Sequence, residues 1–293
     1  MKVLGIVGSQ RKMGNTEILV KEALMGAEEE GAEVDILRLT DYKLLPCDGL
    51  APCIFGNTGC NLDDDFNYLL ERIYECDSLI FGAPCYILES TAVVKLVIDR
   101  MISVNYRSQA RGKPAAVIVP YATRGWTPYA FMQPNILLMW LGMEVIDRAL
   151  LLVQGMREAL LYDRMMDRVH EIGKRIAIAA KTGDRTYYGE PGLCPLCHDR
   201  NIRVLKDMES VECGVCGIRG KLSIENGKIK VDFSEEEFPR ARFNVEHMWR
   251  HFTYHIKPSK DYFIRTRGLT KDKLKKYKDY LKKEEKLSEA NRG

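Results

Sequence analysis

Strand-like and helix-like segments alternate from residue 2 to residue 181, and that alternation restricts the fold more than any other property of the sequence. Residues 2–7 form a short apolar run ending at Gly8. Val20, Leu24 and Ala27 then share one face of a helix that begins near Thr16 and stops near Gly31. Residues 34–39 read as a second strand. Phe66, Leu69, Leu70 and Ile73 follow the i, i+3, i+4, i+7 spacing of a helix. Residues 79–83 are a strand stopped by Pro84, and Val93, Val94, Val97 and Met101 mark the next helix. Residues 115–121 are apolar almost throughout, as a strand covered on both faces is. A helix over 135–141, a strand over 149–153 and a long helix over 157–181 complete the series. Five βα units predict a parallel sheet with helices on both faces, and ligands of such sheets lie beyond the carboxyl ends of the strands.

The first loop at that end is GSQRKMGNT, 8–16. A strand-to-helix loop can hold a phosphate with backbone N–H groups and the helix dipole. Gly8 and Gly14 permit tight turns, Ser9, Asn15 and Thr16 offer side-chain hydrogen bonds, and Arg11 supplies a positive charge. Five residues separate the two glycines and no Lys-Ser/Thr follows, so the loop is neither a Walker A motif nor GxGxxG.

The pattern G-S-x-R-x-x-G-N-T resembles the flavin-phosphate loop of the NADPH-dependent FMN reductase family, a branch of the flavodoxin-like fold. SLIFGAPCYILESTAVVKLVIDRM, 78–101, is similar to that family's G-[ST]-P-x-Y turn and following K-x-x-[IL]-D-R helix. Gly82, Pro84, Tyr86, Lys95, Asp99 and Arg100 match, and Ala83 departs from the usual Ser or Thr. YATRGW, 121–126, stands where the family has a third flavin loop, with Gly125 its one glycine. The resemblance covers about residues 1–181. It implies a flavodoxin-like, doubly wound five-stranded α/β domain in which Ser9, Arg11, Gly14, Asn15 and Thr16 hold the FMN phosphate. Pro84, Cys85, Tyr86 and Ile87, with Tyr121, Thr123, Arg124 and Gly125, would flank the ring. The implied activity is an FMN-dependent NAD(P)H oxidoreductase of flavin or quinone reductase type. NAD(P)H or a reduced protein would be the donor, and a small molecule or protein the acceptor. No protein acid or base is assigned, because the redox chemistry belongs to the cofactor. Cys85 is the one candidate for a reactive group, set against the plainer reading of a small buried side chain. A homodimer or tetramer is expected by resemblance.

Nine cysteines, an odd number without a secretion signal, argue against a disulfide framework. Cys194, Cys197, Cys213 and Cys216 follow C-x2-C-x15-C-x2-C, the spacing of two knuckles that place four sulfurs around one metal. A zinc ribbon is the first reading. Rubredoxin-type iron is the second, since tetrahedral sulfur suits both metals. Asn226-Gly227 reads as a hairpin turn within this small β module. Cys47, Cys53 and Cys60 stand at the first, third and fourth positions of the cluster motif of iron–sulfur flavoproteins, relatives of the resembled family. Leu50 stands at the second and cannot ligate iron, so an iron–sulfur cluster is not expected.

These features divide the chain into a flavodoxin-like domain over 1–181, a linker over 181–192, a four-cysteine module over 193–233 and a charged helical extension over 234–293. His247, His251 and His255 recur every four residues, and Leu274, Tyr277 and Leu281 form a thin apolar stripe. Both read first as amphipathic helix. Residues 1–190 hold 21 basic and 25 acidic residues, against 23 and 16 in 191–293. The basic end admits a nucleic-acid-binding regulator as a third function class, behind an oxidoreductase and an electron-transfer flavoprotein with an iron centre and a ferredoxin-like partner. A solvated helix face is the plainer explanation, and nucleic acid is not expected. No apolar run approaches the ~18 residues of a membrane span. The N-terminus reads as a strand and not as a signal peptide, so a cytoplasmic location is expected.

Overall fold

The computed structural model describes residues 1–56 and 58–280. They fall into two compact units that divide between Trp249 and Arg250. The first unit is built on a parallel sheet of β1 (Lys2–Val7), β2 (Glu33–Arg38), β3 (Ser78–Gly82), β4 (Pro114–Tyr121) and β5 (Glu144–Leu152), in the order β2-β1-β3-β4-β5. This is the flavodoxin-like order. Every residue of β3 and all but the last of β4 are buried, as strands covered on both faces require.

Helices α1 (Asn15–Glu29) and α5 (Asp163–Thr182) cover one face, and α2 (Phe66–Glu75), α3 (Ala92–Arg100) and α4 (Met132–Trp140) the other. α1 and α5 touch backbone to backbone. A Cβ on Gly26 would stand 2.1 Å from the carbonyl oxygen of His170, and one on Gly173 would stand 1.7 Å from that of Ala23. No side chain fits at either position, so the pair fixes how closely the helices approach. α5 starts at Asp163 and not near 157, because Arg157 has φ +64° and residues Glu158–Leu161 form a separate 3-10 turn.

The segment between α5 and the cysteine module is an ordered strap. Tyr188 N–H donates to Ile146 O of edge strand β5 at 2.8 Å. Arg185 donates to the carbonyls of Gly112 (2.8 Å) and Ala179 (2.8 Å). Asp147, fully buried on β5, is paired with Arg168 and Arg175 of α5.

The module is an antiparallel sheet of β6 (Ile202–Val204), β7 (Ser210–Cys213), β8 (Arg219–Glu225) and β9 (Lys228–Phe233), in sequential order. Glu225 pairs with Lys228, so Asn226-Gly227 is a two-residue hairpin turn, with φ of +52° and +74°. The four cysteines, Val215, Ile218 and Ala241 make a second small core, packed by Phe238 and Phe243 and by Met132, Ile136 and Met139 of α4. Residues 238–243 therefore share the module's core.

The second unit contains a π-helical turn over Phe252–Ile256 and a helix over Pro258–Asp279. Leu281 of the expected apolar stripe lies outside the described residues. No helix among the described residues is long and apolar enough to cross a membrane.

Candidate functional site

The carboxyl ends of β1, β3, β4 and β5 meet around an open cavity of about 180 Å³. The loop after β1 forms one end of it. Its carbonyl oxygens are tied to the protein behind it. Thr91 Oγ1 donates to Gly8 O (2.6 Å), Thr40 Oγ1 to Ser9 O (3.3 Å), and Arg38 Nη2 to Ser9 O (3.4 Å) and Gln10 O (3.3 Å). Arg38 is anchored by Glu17 of α1, with Nη1 2.5 Å from Oε2 and both side chains under a tenth exposed. Glu17 also accepts Met13 N–H at 2.7 Å. Burial would raise the Glu17 carboxyl, but hydrogen bonds from Lys21, Met13 N–H and Arg38 outweigh it and hold the group below its usual range. The oxygens of Gly8, Ser9 and Gln10 are thus engaged, and the N–H groups of Gly8, Arg11, Met13 and Gly14 are bonded within the protein, which leaves the remaining loop N–H groups and the spare N–H groups of the first turn of α1 as donors. Such a surface suits an anion.

The structure brings Ser9, Arg11, Gly14, Asn15, Thr16, Pro84, Cys85, Tyr86 and Tyr121 to this cavity. It does not bring Ile87, Thr123, Arg124 or Gly125 to its lining. Pro120, Ala122, Val153 and Gln154 do line it and were not foreseen. Val153 and Gln154 follow directly from the position of β5, since the strand next to β4 must deliver its carboxyl end to the same edge.

Asn15, besides lining the cavity, ties two loops together. Its Nδ2 donates to Gly155 O (2.8 Å) and its Oδ1 accepts Ala159 N–H (3.2 Å). The side chain joins the first loop to the loop after β5. That loop is closed further by Glu158, whose carboxylate accepts Gln154 N–H at 2.7 Å and the Tyr162 hydroxyl at 2.6 Å.

The loop after β3 is a tight hairpin. Cys85 pairs with Ser90 and Tyr86 with Glu89, leaving Ile87 and Leu88 as the two turn residues. Their φ values are +44° and +75°. This turn normally takes Asn-Gly, and each side chain in the left-handed region costs about 1–2 kcal/mol. Ile87 stands 86% exposed at the tip. The hairpin is bonded to the loop after β4 twice, through Cys85 Sγ to Trp126 O (3.4 Å) and Tyr129 N–H to Leu88 O (3.2 Å). Burial pushes the Cys85 thiol up.

Cys47 is exposed, Cys53 buried and Cys60 partly buried. Cys60 Sγ accepts Arg100 Nε–H (3.2 Å) and Nη2–H (3.0 Å). Arg100 and Asp64 form an ion pair at 2.6 Å with side chains 1% and 0% exposed, and the guanidinium lies 4.6 Å above the Phe66 ring. Arg100 of the K-x-x-[IL]-D-R segment therefore holds the cysteine loop. Leu50, at the second motif position, is 78% exposed. Cys76, a conceivable substitute ligand, is buried in the main core with its thiol pushed up to about 11.

Among the described residues, the four knuckle cysteines are the one group of at least three metal-capable side chains with ligand atoms all within 4.8 Å of one another, and all four are buried. Cys194 and Cys216 Sγ are 3.4 Å apart, as are those of Cys197 and Cys213. Zinc–sulfur bonds of about 2.3 Å set tetrahedral sulfurs about 3.8 Å apart, so the donor set fits one tetrahedral ion. Contact with the neighbouring sulfurs, Cys194 first, and burial drive the Cys197 thiol up. A divalent cation at the centre removes that penalty. Next to this group, burial and then Arg148 push His198 down to about 4. Its ring is stacked on Tyr187 with centroids 3.4 Å apart. His251 and His255 have ring centroids 5.6 Å apart.

An iron–sulfur flavoprotein of Methanocaldococcus jannaschii is 37% identical over 124 residues, 42% of this chain and 64% of that protein. The chain spans less than two thirds of the iron–sulfur flavoproteins it matches, 64% of this one and 56% of one from Archaeoglobus fulgidus. The flavone synthase cfoJ of Aspergillus candidus is 26% identical over 277 residues, 83% of this chain and 85% of that protein. The solved structure of a flavone reductase, 24% identical, superposes with a TM-score of 0.67 over 99% of this chain and 96% of its own. That likeness concerns the fold, and it extends across the cysteine module. Residues 1–156 match the NADPH-dependent FMN reductase family, and the chain belongs to it.

Proposed function

We propose that the protein is an FMN-dependent oxidoreductase that takes reducing equivalents from NAD(P)H and delivers them to a small organic acceptor. The observation that carries this reading is the cavity at the carboxyl ends of the strands. It has an anion-suited loop at one end, and half-buried Cys85 and Tyr121 with exposed Tyr86 and Ala122 at the other. Bound FMN supplies the two-electron chemistry, accepting hydride from NAD(P)H and passing two electrons on. The protein holds the phosphate with the 8–16 loop, whose carbonyls Thr91, Thr40 and Arg38 turn away. Backbone N–H groups of the 84–86 and 120–122 segments, which line the other end of the cavity, would favour an anionic reduced ring. Two relatives that align over most of this chain carry flavone names, which makes a planar aromatic ketone the acceptor class to test first.

The domain division that goes with this reading is a flavin domain over 1–181 and a four-cysteine module that begins at 193 and takes Phe238, Ala241 and Phe243 into its core, so that the extension expected from 234 begins after residue 243. The module holds a structural zinc ion in this reading. Its sulfurs are buried and its core is shared with α4, which suits a site that stabilises and does not exchange ligands. Purified protein should be yellow or take up FMN, contain one zinc per chain, and oxidise NADPH or NADH steadily when a quinone or flavone is added. Protein that cannot be loaded with FMN overturns the reading. Iron in place of zinc, with exchange against ferredoxin and not against pyridine nucleotides, turns it into an electron carrier.

A further inference from the structure

The hairpin after β3 and the loop after β4, bonded to each other beside the cavity, expose four apolar side chains, here called the ledge: Ile87 at the hairpin tip, Tyr86 (43% exposed), Trp126 (57%) and Tyr129 (38%). Water-exposed aromatic and branched side chains in a row do not stabilise a fold, and the turn at Ile87 and Leu88 is strained as well. Strain and exposed apolar surface that persist together next to a ligand cavity point to recognition. Tyr86 belongs both to the ledge and to the cavity lining, which points to an occupant that also reaches the flavin. The flat side chains suit a planar aromatic ring system.

The ledge is held by a residue of the cysteine module. Asn201 Nδ2 donates one hydrogen to Pro128 O (2.9 Å) and the other to Asp199 Oδ1 (2.8 Å). Asp199 Oδ1 also accepts Asn201 N–H at 2.7 Å. The backbone of Asp199 accepts Cys194 N–H (3.0 Å), and the backbone of Asn201 accepts Gly214 N–H (2.8 Å). Both cysteine knuckles therefore fix Asn201. Pro128 lies between Trp126 and Tyr129, and each of these is bonded to the hairpin, through Trp126 O and Tyr129 N–H.

We propose that Asn201 is a positioning residue for the electron acceptor. Through Pro128 it sets the ledge of Trp126, Tyr129 and Ile87, on which a planar aromatic acceptor lies against the flavin. The proposal rests on the reading of the cavity as an FMN site. It gives the cysteine module a part in acceptor selection besides stability.

The test uses the full chain loaded with FMN and metal, with menadione as planar acceptor and ferricyanide as an acceptor that needs no ring contact. Asn201→Ala keeps every backbone bond of the knuckles and removes the two side-chain bonds. It should raise the KM for menadione about fivefold, the worth of one or two such bonds. The kcat, the ferricyanide rate, the FMN affinity and the metal content should stay within about twofold, since none depends on these bonds. Asn201→Asp, which sets a carboxylate against Pro128 O and Asp199, should raise that KM further. Hydrogen exchange at the Tyr129 and Ala130 amides should accelerate in both variants. Trp126→Ala should raise the menadione KM without changing that exchange pattern around Asn201. An unchanged menadione KM in Asn201→Ala overturns the proposal, as does a parallel loss with both acceptors, which marks a merely structural role. A Trp126→Ala enzyme with normal KM removes the ledge from it. If the wild-type protein holds no FMN, the underlying reading fails. Amide exchange at 129–130 then decides the clamp alone, and unchanged exchange in Asn201→Ala sinks that too.

Discussion

Asn15 and Gly155 lie 140 residues apart in sequence and are joined by a 2.8 Å hydrogen bond from Nδ2 to the carbonyl oxygen. The same side chain accepts Ala159 N–H, so one residue links the first and last loops of the cavity. Asn15→Ala removes both bonds and should weaken FMN binding about tenfold or more, at roughly 1 kcal/mol per bond. Asn15→Asp keeps one acceptor oxygen and should lose less through the loop, though its charge opposes the phosphate. Flavin fluorescence titration measures both, and unaltered affinity in Asn15→Ala would show that the loops hold their places independently.

Arg38 and Glu17 shape the first loop from behind. Removing one member of a buried pair strands the other, which typically costs about 3–5 kcal/mol. Arg38→Met should therefore destabilise the protein by roughly 3 kcal/mol, less than the maximum because Lys21 still reaches Glu17. Denaturant midpoints at constant slope measure it.

Acid should act at the same place. The Glu17 carboxyl of the folded protein titrates below its ordinary value of 4.5. Its stabilisation is complete above that ordinary value and is lost as the pH falls through the lowered one. FMN affinity and thermal stability should fall together in that window, and Glu17→Gln should flatten the dependence. A Glu17→Gln protein with the same acid profile as wild type would assign the effect elsewhere.

Asp64 is the sole carboxylate paired with Arg100 among the described residues, and the pair is almost fully buried. Asp64→Ala should cost about 3–5 kcal/mol by leaving that guanidinium without its charge partner. It should also free the loop that carries Cys60. Faster labelling of Cys60 by a thiol reagent is the second readout, and one without the other would separate packing from charge.

Cys85 borders the cavity, and its thiol is pushed up by burial. Little thiolate is present at neutral pH, so alkylation should be slow, rise with pH above 9, and slow further when FMN is bound. Equal labelling with and without FMN would place the flavin away from this wall.

Much of the fold was readable because burial writes itself into periodicity. β4 is apolar along nearly its whole length, and α2 shows Phe66, Leu69, Leu70 and Ile73 on one side; both follow directly from what each element covers. The cysteine knuckles were readable for a different reason, since metal geometry fixes ligand spacing. What escaped depends on distant partners or on broken preferences. No local pattern shows that Asn15 reaches Gly155, or that Asn201 reaches Pro128. The turn at Ile87 and Leu88 escaped because nothing in Ile-Leu announces a left-handed conformation, the one those side chains most avoid. Gln154 belongs to no motif and reaches the cavity only because β5 pairs beside β4.

The strap over 184–191 has a consequence for solubility. Tyr188 occupies a hydrogen-bonding position on β5 that a strand from another molecule would otherwise seek. Open sheet edges are where chains add to one another and grow into aggregates. The opposite edge, β2, carries exposed Glu33 and Asp35, charges that discourage such pairing. The β5 edge is apolar instead, with Ile146 and three leucines from 150 to 152, and at Ile146 it is guarded by the chain's own continuation. A flavin domain cut off at residue 181 would keep its five strands and lose that guard, so it should self-associate where the longer chain stays dispersed.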